Sequence, residues 1–148
     1  MPKTLSLLAL TSLTLACAAE DVPEAEARPT GADSVAVALA AFDAAAFDSI
    51  SWESQAAAID RGRVVFSFSC MKCHGAEGRG DGELVTEGGD YHPPDLTMEG
   101  WRFADDHEGL REQIFTGTAQ GMPHWGLEGL KHRDIDAVAT FLRTGLRN

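Results

Sequence analysis

The sequence predicts an all-α domain of three or more helices joined by long glycine-rich loops. No stretch of the 148 residues sustains the polar–apolar alternation of a half-buried strand, whereas four segments repeat apolar residues at helical spacing. The loops between those segments hold Gly75, Gly78, Gly80, Gly82, Gly88 and Gly89 within fifteen residues. No Lys-Ser or Lys-Thr pair follows this series and no strand precedes it, so a phosphate cradle is a poor account. A tight backbone wrap around a flat ligand is a better one.

Residues 1–17 read as an export signal: Lys3 gives a positive start, and Leu5 to Leu15 form an apolar run too short to span a bilayer. Leu13-Thr14-Leu15-Ala16-Cys17 resembles the lipobox of bacterial lipoproteins, which implies lipid modification of Cys17 and a membrane anchor without a spanning helix. The alternative is ordinary cleavage at the small residues Ala16-Cys17-Ala18. Loss of residues 1–16 removes one of 12 basic residues against 23 acidic ones, so the formal charge moves from −11 to −12. That charge argues against nucleic acid as a partner and suits docking to a basic patch on another protein, or simply keeps an exported chain soluble.

Residues 18–50 precede the densest patterning. Residues 18–32 are acidic, carry two prolines and lack an apolar period, as a flexible tether does. Fifteen such residues reach about 20 Å on average and about 50 Å at full stretch. Residues 33–50 are alanine-rich, with Val35, Leu39, Phe42 and Ala46 on one helical face and Asp33 as the expected N-cap. This helix serves either as a spacer or as packing for the domain at 51–148.

Within that domain, Ser51 is the expected cap of a helix running to about Phe68, with Ile59, Arg63 and Phe66 at helical spacing. Gly62 lies inside it, where an interior glycine costs about 1 kcal/mol relative to alanine, so a second helix is expected to pack closely there. The expected partner is the last helix, about His132 to Thr144, striped by Ile135, Val138, Phe141 and Leu142. Between them, Asp105 and Glu108 suggest a capping box for a helix carrying Leu110, Ile114 and Phe115 and closed by Gly117.

Cys70-Met71-Lys72-Cys73-His74 carries the chemistry. A bare Cys-x-x-Cys is shared by redox dithiols, half zinc sites and haem anchors, and the adjacent histidine selects the covalent site of a c-type haem. The thiols can each reach one vinyl group, and His74 is placed to bind iron from one face. A six-coordinate iron needs a second ligand from Met71, Met98, Met122, His92, His107, His124 or His132. Met71 lies inside the attachment segment and cannot reach the opposite face. Met122 stands out because Gly121 and Pro123 flank it in the loop from Gly117 to Trp125, with Met98 the leading substitute.

From about Ser51 to Leu146 the chain resembles the small monohaem cytochrome c domains found as soluble carriers and as modules of respiratory complexes. The resemblance joins Gly62 to Phe66, Cys70 to His74, the glycine series Gly75 to Gly82, Pro93-Pro94-Asp95-Leu96-Thr97, Met122-Pro123 and the closing helix. It implies a cytochrome c fold around one covalent haem, with His74 and Met122 as axial ligands and a carbonyl of Pro93 or Pro94 accepting a hydrogen bond from His74. Trp101 and Arg102 resemble residues that meet haem propionates, or are an interfacial aromatic beside a solvated cation.

With both axial positions filled, the expected role is outer-sphere electron transfer between a donor and an acceptor protein of a respiratory-type chain, with no catalysis by this chain. Electrons are expected to pass near Lys72, at the attachment segment. The alternative is a haem enzyme or gas sensor in which Met122 dissociates and His124 assists; another is a subunit that carries haem for stability alone. Lys131-His132-Arg133 at the start of the last helix opposes the helix dipole. It is expected either to meet a propionate or mark a docking face, or to be a solvated turn offset by Asp134 and Asp136.

Overall fold

Thr30 opens the described chain as a helix cap. The computed structural model describes residues 30–86 and 92–147, so the export signal, Cys17, most of the tether and Gly88–Gly89 lie outside the described residues. α1 spans Gly31–Ala41: the Thr30 hydroxyl accepts from the Asp33 amide at 3.3 Å, and the Asp33 carboxylate accepts from the Thr30 amide at 2.9 Å. Asp33, expected as the cap itself, is the third residue of a reciprocal box, because its carboxylate reaches back to satisfy the amide of the true cap. Two residues assigned to the tether, Gly31 and Ala32, therefore begin the helix.

The alanine-rich segment does not run as one helix. It breaks at Phe42, whose backbone is extended, and Asp43 caps a short 3-10 turn at Ala44–Phe47 by accepting from the Ala45 amide at 3.0 Å. The break turns both aromatic residues onto the domain: Phe42 packs edge-on against Phe115 at 5.4 Å, and Phe47 is 3% exposed within the core. This segment is packing, not a spacer.

α2 spans Gln55–Ser69, and its cap is Ser54, whose hydroxyl accepts from the Ala57 amide at 3.1 Å. Ser51 is not the cap because its carbonyl accepts from Arg133 at 2.9 Å and Trp52 donates to Asp136 at 2.7 Å, which holds this stretch against the last helix. α3 (Met71–His74) and α4 (Glu83–Thr86) are single turns. α5 spans His107–Thr116 and is capped by Asp106, not Asp105, through the Gly109 amide at 2.8 Å; Gly117 ends it with φ of 65°. α6 spans His132–Thr140 and continues as a π-helical turn at Phe141–Gly145.

The core sits where α2 crosses α6, with α5 packed alongside. A Cβ on Gly62 would strike the Ala137 carbonyl and the Phe141 side chain, which accounts for glycine inside α2. Ile135 and Val138 of α6 are fully buried, each side chain contributing about 1.5–3 kcal/mol through burial. At the cationic start of α6, Arg133 stacks on Trp52 at 3.9 Å and donates to the Ser51 carbonyl at 2.9 Å, while Asp134 pairs with Arg61 of α2 through two contacts at 2.8 Å. His132 packs against Phe47 and Phe115.

Candidate functional site

Four helices and two loops leave an apolar cavity of about 380 Å³ beside the core. α2 contributes Phe66 and, at its C-terminal cap, Cys70; α3 ends on His74. α5 contributes Leu110, Gln113 and Ile114, and α6 with its π turn contributes Val138 and Leu142. The loops supply Pro94, Leu96, Met98, Trp101, Arg102 and Phe103 on one side and Thr118 and Met122 on the other. A second cavity of about 310 Å³ shares Cys70, His74 and Met122 with the first and adds Cys73, Lys72, Pro123 and Trp125.

His74 sits where burial disfavours the charged form of its imidazole. Burial pushes its pKa down, and the backbone of Pro94 acts in the opposite direction. Its Nδ1 is buried without a hydrogen bond of full geometry, so Pro94 approaches the ring without closing that bond. The neutral ring is the form that ligates a metal. Pro93 is buried but lines neither cavity; its carbonyl lies where a Cβ on Gly80 would fall, so Pro94 is the residue of the pair that meets His74.

Cys70 and Cys73 are free thiols. Burial, reinforced by the neighbouring Cys73, pushes the Cys70 thiol up to about 12. The glycine series explains their placement, though not as a wrap around a ligand. The Gly80 amide donates to the His74 carbonyl at 2.8 Å and the Gly82 amide to the Cys73 carbonyl at 3.1 Å, while a Cβ on Gly82 would strike the Lys72 carbonyl. These glycines clasp the attachment segment itself, and none of Gly75–Gly82 lines either cavity.

Met122 stands across from the attachment segment on a loop pinned at its backbone. The Thr118 amide donates to the Met122 carbonyl at 3.0 Å, and the Thr118 hydroxyl accepts from the Met122 amide at 3.1 Å. A Cβ on Gly117 would strike the Met122 and Pro123 carbonyls. Thr118 was not among the residues expected to matter; the signal for it is a threonine four residues before the methionine, where a hydroxyl can close a local turn. Met98 also lines the cavity, but it is 52% exposed.

Trp101 is buried at the cavity wall, and Arg102 lies over the Phe103 ring and donates to Gln113 at 3.1 Å. Arg102 and Gln113 are thus a hydrogen-bonded polar pair on a largely apolar lining. None of His92, His107, His124 and His132 lines either cavity. His124 donates from Nδ1 to the Thr116 carbonyl, and His107 pairs with Asp136 at 2.9 Å. Lys131, His132 and Arg133 also line neither cavity.

The donor set fits a c-type haem: two thiols, a neutral imidazole and a thioether border an apolar space, and no group of three or more acidic, histidine or cysteine residues among the described residues offers a competing metal site. No helix among the described residues is long and apolar enough to cross a membrane. A family model described as cytochrome c oxidase, cbb3-type, subunit III matches residues 57–142. The cbb3-type cytochrome c oxidase subunit FixP of Bradyrhizobium diazoefficiens is 33% identical over 85 residues, 57% of this chain and 26% of that protein. The corresponding subunit CcoP of Azospirillum brasilense is 31% identical over 89 residues, 60% of this chain and 29% of that protein. The match thus spans under a third of either relative's length, and no solved structure gives a significant match.

Proposed function

The chain belongs to the family of cytochrome c oxidase, cbb3-type, subunit III, and on that premise we propose that its domain at 51–148 carries one covalent haem c and passes single electrons between protein partners of a respiratory-type chain. The observation that supports this best is the meeting of Cys70, His74 and Met122 at both apolar cavities. When bound, the haem supplies a one-electron Fe(II)/Fe(III) couple, whose potential a thioether raises relative to a second imidazole.

The protein's part is binding, orientation and exclusion of water. Cys70 and Cys73 would hold the haem covalently, each thiol taking one vinyl group as a thioether beside α3. His74, through the nitrogen that Pro94 does not approach, and Met122, from its pinned loop, would be the residues that hold the iron. Leu96, Trp101, Leu110, Ile114 and Val138 keep the surroundings apolar, so both oxidation states see nearly the same environment. Arg102, with Gln113 beside it, would be the cation available to the propionates. His124 is committed to the Thr116 carbonyl, which favours the carrier over an enzyme or gas sensor that needs a free distal donor.

Upstream, the lipobox-like sequence at Cys17 anchors the exported domain to a bacterial membrane by lipid, on its periplasmic or outer side, and the acidic chain meets basic patches on its donor and acceptor, whether as a free carrier or a subunit of a larger complex. The test is expression alongside a cytochrome c maturation system. Haem is expected to stay with the denatured polypeptide through acid–acetone extraction, and the oxidised protein to show a methionine–iron charge-transfer band that Met122→Ala abolishes. Extractable haem, or a band that survives in the Met122→Ala protein, would refute the assignment.

A further inference from the structure

Residues 30–47 precede the segment that matches the family, yet they touch the Met122 loop and its supports at successive points. At the loop's entry, Gly31 lies so close to Ala119 that a Cβ would sit 2.6 Å from the Ala119 carbonyl oxygen. In the middle, Ala38 is fully buried and Phe42 packs edge-on against Phe115 at 5.4 Å. Phe115 in turn reaches the loop's second half: its carbonyl accepts from the Gly126 amide at 3.1 Å, and its ring occupies the space a Cβ on Gly126 would need. Beyond the loop, Phe47 packs on His132 at 4.9 Å, where α6 begins.

We propose that residues 30–47 form a strap that holds the Met122 loop closed, with Gly31 and Phe42 as positioning residues acting through Ala119 and Phe115. The route to the ligand is short, because Ala119 adjoins Thr118, which bonds both backbone groups of Met122. The inference rests on Met122 as the distal ligand. A methionine released from the iron leaves a minor, open population, and the apparent affinity for an external ligand rises in proportion to that population. The strap lowers it by limiting how far residues 117–126 can swing.

The test compares the haem-loaded wild type with Gly31→Val, Phe42→Leu and, as a control on the same helix, Val37→Ala, whose side chain is 61% exposed. Gly31→Val and Phe42→Leu are each expected to raise the apparent affinity of the reduced protein for carbon monoxide about tenfold, with Val37→Ala unchanged. Amide exchange at Met122 is expected to quicken by a similar factor, a readout independent of the iron. If either folded variant leaves both unchanged, the strap is refuted. If Met122→Ala itself fails to raise carbon monoxide affinity, the ligand assignment falls, while faster exchange at Met122 in the strap variants would still support the mechanical role. Should Gly31→Val fail to fold, Phe42→Leu decides.

Discussion

Thr118 grips Met122 at both ends of its backbone, donating its amide to the methionine carbonyl at 3.0 Å and accepting the methionine amide on its hydroxyl at 3.1 Å. A flexible thioether thus hangs from a backbone with little freedom, in a loop already shaped by Gly117, Gly121 and Pro123. The cavity holds a second methionine, Met98, whose side chain is half in solvent, so rigidity separates the two candidates where composition does not.

Thr118→Val keeps the shape and removes the hydroxyl acceptor. The lost hydrogen bond costs about 1 kcal/mol, or about fivefold in the balance between bound and released Met122. Titrating the methionine–iron charge-transfer band with imidazole measures it; Met98→Leu is expected to leave the same titration at its wild-type midpoint.

Gly62→Ala is expected to destabilise the fold by about 1–3 kcal/mol, because the new methyl meets the Ala137 carbonyl and Phe141 and must part α2 from α6. Guanidinium melts of the holoprotein report the change, and an unchanged midpoint would contradict the close crossing.

Acid sensitivity is expected to centre on Asp136, which is 7% exposed and accepts from Trp52 at 2.7 Å and Arg111 at 3.3 Å while pairing with His107 at 2.9 Å. Burial alone would raise its pKa, but the hydrogen bonds from His107 and Trp52 and the charges of His107 and Arg111 outweigh it and hold the carboxyl below its ordinary value. A depressed folded-state pKa adds stability above the unfolded value of about 3.9, and this is lost as pH falls through the lower folded value. Asp136→Asn is expected to lower stability at neutral pH and flatten this acid limb, read from urea melts between pH 7 and pH 3.

Cys17→Ser is expected to abolish incorporation of labelled fatty acid and move the protein from the membrane to the soluble fraction, with the haem spectrum unchanged. Retention in the membrane fraction would point to a protein partner as the anchor.

Much of the fold was legible because its signals are local. Leu110, Ile114 and Phe115, and Ile135, Val138 and Phe141, mark buried helix faces by spacing alone, and Gly62 announced a close crossing because little else excuses glycine inside a helix. Caps were read one to three residues out of place, at Asp33, Ser51 and Asp105 instead of Thr30, Ser54 and Asp106. Neighbouring Ser, Thr and Asp residues can each serve as a cap, and tertiary bonds such as those of Ser51 and Trp52 choose among them.

The sequence by itself pointed to the chemistry, because two thiols and a histidine at fixed spacing form one contiguous unit that can be read without knowing the fold. Only the tertiary structure decided what surrounds that unit. It brought Met122 within the same cavities as Cys70 and His74, placed Pro94 rather than Pro93 at the cavity, committed His124 to the Thr116 carbonyl, and packed the alanine-rich segment, whose role the sequence left open, against Phe115. Each of these depends on contacts between residues far apart in the chain, where packing and not spacing sets the distance.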